Sequence, residues 1–158
     1  MKDVSDDCET LGLVLHGVIS SYQAAIRDAL GDSDAALINL AEYLVDYVRL
    51  EGVDADSLGF EGLIGVMAER VAGLGLARLS LEESEPGYVF RVEGCVWAGR
   101  LHGRKTDRDA TCPWGLIALA TYQASTGNRV HLSDSTYTAT GSKTRVMPLK
   151  GVTDLLTD

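Results

Sequence analysis

The spacing of the apolar residues changes near Leu76, and this change limits the folds that the chain can adopt. Before Leu76, apolar residues recur at steps of three and four, which is the period of an amphipathic helix. After it, apolar and polar residues alternate, as they do in a strand with one buried face. No crossover between parallel strands is indicated, so the sequence predicts an α+β domain with an antiparallel sheet.

Three helices are predicted in the first half of the chain. The first extends from about Leu11 to Leu30 and is closed by Gly31. The second has its apolar stripe at 37–48 and stops at Gly52, and the third begins near Asp56 or Ser57 and ends in the run Gly73-Leu74-Gly75. The apolar stripe of the first helix consists of Leu11, Leu15, Val18, Ile19, Tyr22, Ile26 and Ala29. Three such helices in succession carry more apolar surface than one small sheet can cover, so we expect a homodimer that forms through the helical half.

Two hairpins are predicted in the second half, with one helix between them. A turn at Glu85-Pro86-Gly87 joins the strands of the first hairpin, and a turn around Gly141 joins those of the second. The strands are expected from Leu76 to Glu83, from Tyr88 to Ala98, at 129–140 and at 144–149. The helix between the hairpins begins at Cys112-Pro113 and ends at Gly127. The N-terminal helices are expected to pack on this small antiparallel sheet.

Length, composition and charge narrow the class of protein. A length of 158 residues suits one domain, since domains commonly have ~100–200 residues, and residues 1–10 are expected to be flexible. The apolar share of 46% excludes general disorder, and the apolar stretches are shorter than the ~20 residues of a membrane span. With 14 basic and 23 acidic residues, the net charge of −9 argues against nucleic-acid binding. Three widely spaced cysteines and an acidic N-terminus without a signal pattern predict a cytoplasmic location.

The sequence contains no catalytic constellation, so no catalytic residue and no cofactor is assigned. Phosphate-binding, dinucleotide-binding and nucleophile-elbow motifs are absent. His16 is expected in the core and His131 at the surface. Cys112 begins a helix, whose dipole favours a thiolate, and Cys95 lies in the predicted second strand. With His102 and a carboxylate they could bind zinc, or each could pack in the core as a small apolar side chain.

The segment from Cys112 to Leu149 resembles the 4-vinyl-reductase domain family, small-molecule-binding domains related to the Bet3 fold of transport particles. In that family a Cys begins a helix that a Gly ends. A hairpin follows with an acidic residue, a Cys, a Gly and a final Cys before the closing strand. The matching positions here are Cys112, in Cys-Pro-Trp-Gly-Leu-Ile, and Gly127, Asp134 and Gly141. The order of the preceding elements fits the same family, so the resemblance covers most of the chain.

Two hairpin positions depart from the zinc-binding branch of this family. That branch holds zinc with the helix-opening Cys, the acidic residue and the two hairpin cysteines. Tyr137 and Arg145 occupy the hairpin positions here, or Thr144 in place of Arg145 if the register shifts by one. A phenol and a guanidinium do not replace thiolates, so we expect no zinc at this site. If metal binds nevertheless, the expected ligands are Cys95, His102, Cys112 and Asp134.

The resemblance implies non-enzymatic binding of a small, largely apolar molecule in an interior pocket, as a sensor or carrier and usually as a homodimer. We expect the pocket between the strand that carries Trp97 and the helix from Cys112 to Tyr122, because small helix residues leave room there. The expected ligand-binding residues are Cys95, Trp97, Cys112, Trp114, Leu116, Leu119 and Ala120. Two alternatives remain open: a dimeric protein-interaction scaffold that resembles transport-particle subunits, and a cysteine-dependent redox protein or enzyme that uses Cys95 and Cys112.

Overall fold

A computed structural model of the chain describes residues 4–30, 43, 55–102, 111–132 and 135–149. The described helices are α1 (Val4–Leu30), α2 (Ala55–Gly73), α3 (Ala98–Leu101) and α4 (Pro113–Thr126). The described strands are β1 (Arg78–Ser84), β2 (Gly87–Glu93), β3 (Val130–Leu132), β4 (Thr136–Tyr137) and β5 (Ser142–Pro148). These elements confirm the predicted α+β class. Of the helix predicted around 37–48, only residue 43 is among the described residues.

All strand pairings in the sheet are antiparallel. The strands lie in the order β1-β2-β5-β3, and β4 also pairs with β5. One face of the sheet carries the buried side chains of Leu79, Phe90, Val92, Thr144 and Val146. Helices α2 and α4 pack against this inner face. The outer face carries most of the charged residues of the same strands, and Glu83 at the end of β1 is the exception. The core therefore lies between one sheet face and two helices.

Helix α2 follows the sequence pattern closely. It begins at Ala55 and ends at Gly73, and its backbone leaves the helical region once, at Gly59 (φ 63°, ψ 179°). At its C-terminus Gly75 adopts a positive φ of 68°, and the N–H of Leu76 donates to the Val71 carbonyl. This is the hydrogen-bond pattern of a Schellman motif, in which glycine accepts the left-handed conformation at little cost.

The second strand that the sequence predicts is longer than the strand in the structure. Strand β2 ends at Glu93, not at Ala98, because Gly94 adopts a positive φ of 60° and turns the chain. Beyond it, the Cys95 N–H donates to the Thr140 carbonyl and Trp97 precedes the short helix α3. Cys95 and Trp97 are therefore not on a common strand face, although both are buried.

Helix α1 is longer than predicted and presents the opposite face to the protein. It begins at Val4, and the residues that it buries most are His16, Ser20 and Gln23. Four members of the predicted apolar stripe are more than half exposed: Leu11 60%, Leu15 52%, Val18 59% and Tyr22 56%, with Val14 at 55% beside them. Ile19, at the edge of the stripe, packs against the core. The periodicity located the stripe, but most of the stripe faces away from the core. None of the described helices is long and apolar enough to cross a membrane.

Helix α4 lies unusually close to β5, and Gly115 makes this possible. A Cβ atom at Gly115 would overlap the hydroxyl of Thr144, whose side chain is fully buried. We predict that Gly115→Ala lowers the free energy of unfolding by about 1–3 kcal/mol, the usual cost of overpacking a core. At Gly17, in α1, a Cβ would meet no atom within 4 Å. As the control, Gly17→Ala should therefore stabilise by about 0.5–1 kcal/mol through helix propensity. Urea unfolding curves for both variants distinguish these outcomes, and equal effects would contradict the proposed close approach.

Candidate functional site

The N-terminus of α4 is buried, and side chains from distant parts of the chain satisfy its backbone. Gln23 of α1 bonds Thr111 twice: its Nε2 donates to the Thr111 carbonyl and its Oε1 accepts from the Thr111 N–H, both at 2.9 Å. The Cys112 N–H donates to Ser135 Oγ at 2.8 Å. The next residue, Pro113, has no N–H to satisfy. Helix α1 and the segment before β4 thus meet at the start of α4.

The buried hydroxyls behind Cys112 form a small polar network within the core. The hydroxyls of Ser135 and Thr144 lie 2.6 Å apart and share a hydrogen bond. Ser135, Thr144 and the nearby Ser142 are each at most 2% exposed. By the resemblance to the 4-vinyl-reductase domain family, Thr144 or Arg145 would stand where the zinc-binding branch of that family has a Cys. Of these two, Thr144 lies on the inner face beside Gly115, whereas Arg145 is exposed.

Three aromatic rings lie where α1 packs against the core. The His16 and Trp97 rings have centroids 4.7 Å apart, and the Trp97 and Trp114 indoles stack at 6.0 Å with an interplanar angle of 15°. A Cβ at Gly12 would overlap ring atoms of Trp97, so α1 can approach this closely only with glycine there. Trp114 is half-buried, and its Nε1 has no hydrogen-bond acceptor among the described residues.

The structure brings most of the predicted ligand-binding residues into one region. Cys95, Trp97, Cys112, Leu116 and Leu119 are buried in one apolar cluster, against which Trp114 packs. Ala120 is also fully buried. Trp97 reaches this region from the turn after β2 and not from a strand, which corrects the expected geometry. Leu116, Leu119 and Ala120 are at most 1% exposed and belong to the packed interior of α4.

Cys95 and Cys112 are free thiols, and burial governs the chemistry of Cys112. Burial raises the pKa of the Cys112 thiol above its ordinary value, and the nearby Cys95 acts in the same direction. The Ser142 hydroxyl and the N–H groups of Trp114 and Gly115 lower the pKa, but burial is the larger effect. The helix N-terminus therefore does not make Cys112 a thiolate at neutral pH.

The alternative metal ligands occupy different surroundings. His102 follows α3; its Nδ1 lies 2.8 Å from the Thr138 carbonyl, and its ring contacts Tyr137. Asp134 lies outside the described residues. Within the part of the chain that the structure describes, no group of three or more His, Cys, Asp and Glu side chains is arranged to hold a metal. His131 is exposed and His16 is buried.

Two open clefts lie outside this region. One, of about 260 Å³, lies between α2 and the first hairpin on the inner side of the sheet. The other, of about 280 Å³, lies on the outer face of the sheet. There the guanidinium of Arg91 pairs with Glu82, and that of Arg78 lies 3.7 Å from the Glu93 carboxylate, so charges of both signs share this face.

Comparisons with protein-family models, with curated proteins and with solved structures found no match to this chain. The candidate site therefore depends on its own geometry. Sequence reasoning missed Gln23, Ser135 and Thr111, which hold the start of α4. Their contacts join residues far apart in the sequence, and no local pattern indicates them.

We predict that Gln23→Met destabilises the fold, because the thioether keeps the side-chain length but cannot bond Thr111. Each buried backbone group left unsatisfied costs about 1–3 kcal/mol. Ser21→Ala, at an exposed position on the same helix, is the control and should change stability by less than about 0.5 kcal/mol. Denaturant unfolding measures both. A Gln23→Met variant as stable as the Ser21→Ala variant would show that this contact does not hold α1.

We predict that stability falls in alkaline solution because Cys112 is buried as a neutral thiol. The pKa of this thiol is higher in the folded state than its unfolded value of about 8.5. The buried thiol therefore makes its full contribution to stability below about pH 8.5. The contribution is lost as the pH rises from there toward the folded pKa, by up to about 1.4 kcal/mol per pH unit. Cys112→Ser should show a flatter decline between about pH 8 and pH 10. Identical slopes for the two proteins would contradict the assignment. Burial, then Glu61 and Glu83, also raise the pKa of Tyr88, which adds a similar loss at higher pH in both proteins.

Proposed function

We propose that this protein is an interaction module that self-associates through the exposed apolar face of α1. The observation that carries the proposal is the row of five large side chains on that face, each more than half exposed: Leu11, Val14, Leu15, Val18 and Tyr22. Contiguous exposed apolar patches of this kind mark interaction surfaces in water-soluble domains. This proposal develops the scaffold alternative from the sequence and includes the expected homodimer.

The direction in which α1 faces supports this proposal. An amphipathic helix on a monomer ordinarily turns its apolar stripe inward. Helix α1 instead turns His16, Ser20 and Gln23 inward and fixes that orientation with the two hydrogen bonds to Thr111. Turning the apolar stripe inward would break these bonds and move Gly12 away from Trp97. The apolar face is thus held outward by specific contacts, which is consistent with a partner that covers it.

A second copy of the chain is the partner that we propose. Pairing about a two-fold axis would bring the same stripe of both copies together, as in an isologous dimer. At about 1.5 Å per residue, the 27 residues of α1 extend over about 40 Å, which is long enough for a helix pair to form the centre of a standard interface. The buried neutral thiol of Cys112 gives no support to the redox or enzyme alternative.

We predict that the wild-type chain is a dimer at tens of micromolar, an order of magnitude above the Kd of about 1 μM of a modest specific interface. Val18→Glu should give a monomer, because two carboxylates would approach each other within a desolvated apolar contact. The matched control is Leu74→Glu, since Leu74 is 72% exposed in the turn after α2 and should not affect association. Sedimentation velocity gives the oligomeric state, and circular dichroism checks the fold. A monomeric wild type, or dissociation by both substitutions, would overturn the proposal.

Small-molecule binding near the stacked tryptophans is a second candidate function. One observation favours it: the buried Nε1 of Trp114 lacks an acceptor among the described residues, and such an N–H is costly unless something bonds it. A largely apolar ligand with one acceptor atom would fit this indole and the apolar side chains beside it. The family resemblance implies the same class of ligand and a sensor or carrier role.

The cytoplasmic location that the sequence indicates stays a prediction.

Native mass spectrometry of gently purified protein tests this second candidate. We predict an added mass beyond the chain that disappears on denaturation and is reduced in Trp114→Phe, which keeps an aromatic ring but removes the N–H donor. Trp97→Phe is the control for general loss of aromatic packing. An unmodified mass in the wild type, with no change in tryptophan fluorescence when an apolar probe is added, would leave self-association as the better-supported function.

A further inference from the structure

The cleft between α2 and the first hairpin has an apolar floor. Ala68 of α2 and Leu81 of β1, both half-buried, form its exposed apolar surface, and the buried side chains of Ile64 and Leu79 lie beneath it. Gly65 lies at its rim, and a Cβ there would meet no atom within 4 Å. The cleft volume of about 260 Å³ is below the ~300–1,000 Å³ of pockets for drug-sized ligands, so its occupant would be small.

The mouth of the cleft is negatively charged. Glu61 of α2 and Glu83 of β1 are exposed carboxylates on its two sides, and none of the described residues that line it is Lys, Arg or His. Tyr88 lies directly across the hairpin from Glu83, and its hydroxyl donates to Glu61 Oε1 at 3.4 Å. The two carboxylates thus flank one phenol and lie above one apolar floor.

We propose that this cleft binds a small amphiphilic cation, a protonated primary amine on a short alkyl chain. The alkyl chain would cover Ala68 and Leu81, and the ammonium group would lie between the carboxylates of Glu61 and Glu83. Three hydrogen-bond donors on an ammonium suit two carboxylates that accept only. A neutral alkyl ligand would contact the apolar floor but would have no charge attraction to the two carboxylates. An anionic ligand would be repelled by those carboxylates. The site is separate from the α1 face and from the tryptophan pair.

The first test compares three probes that share one alkyl chain and differ in charge: n-hexylammonium, n-hexanol and n-hexanoate. Each is titrated into the full chain and followed by amide shifts in ¹H–¹⁵N correlation spectra. We expect shifts for Gly65 and Ser80, at the cleft, and an affinity order of hexylammonium, then hexanol, then hexanoate. The preference for hexylammonium should become smaller as salt is added, because salt screens the attraction to the exposed carboxylates of Glu61 and Glu83. Equal affinities for the three probes, or shifts confined to other residues, would overturn the proposal.

The second test uses substitutions that fill the cleft or remove its charge. Gly65→Leu should abolish hexylammonium binding, because its side chain would occupy the open space beside Gly65. Gly73→Leu places the same side chain at another helix position with no atom near its Cβ, away from the cleft, and should bind like the wild type. Glu61→Gln should weaken binding roughly two- to fivefold, the range of one exposed ion pair. Wild-type affinity in Gly65→Leu, with a wild-type melting temperature, would show that the amine binds elsewhere.

Discussion

A buried helix start must have its backbone groups satisfied, and this requirement organises the structure around α4. The first N–H groups of a helix have no partner within the helix, and water is excluded where Thr111 and Cys112 lie. Gln23 supplies both partners for Thr111, and Ser135 supplies one for Cys112. These bonds join the start of α4 to α1 and to the segment before β4.

The same requirement explains why α1 has its unusual orientation. A helix that presents an amide, a hydroxyl and an imidazole to the protein has room there for few apolar side chains, and of these Leu13 and Ile19 pack against the core. Gly12 adds a steric condition on the same face, because only a residue without a Cβ lets the helix lie against Trp97. The apolar stripe is therefore left to solvent or to a partner. The face of α1 that contacts the core stabilises the monomer, and the opposite face is the one that we propose for association.

The sequence predicted elements whose signals are local and missed relations between distant residues. The bounds of α2 agree with the sequence, because its apolar period and the glycine motif at its end lie within one segment. Strand β2 was extended too far because alternation continues through Cys95 and Trp97, whereas the left-handed backbone at Gly94 ends the pairing. Periodicity showed that α1 has two unlike faces but contains no information on which one is inward. The bond from Gln23 to Thr111 spans 88 positions, so no local pattern could indicate it.

Trp97 and Trp114 are the only tryptophans in the chain, and their stacked indoles form a built-in optical reporter. Two aromatic chromophores at this separation couple their electronic transitions, which produces a paired signal in circular dichroism. The tryptophan fluorescence of the protein also originates at this one pair, beside Gly12 and His16. A spectrum will therefore register any displacement of α1 while hardly responding to events at the charged face of the sheet. The molecule thus reports the docking of its own first helix without a label.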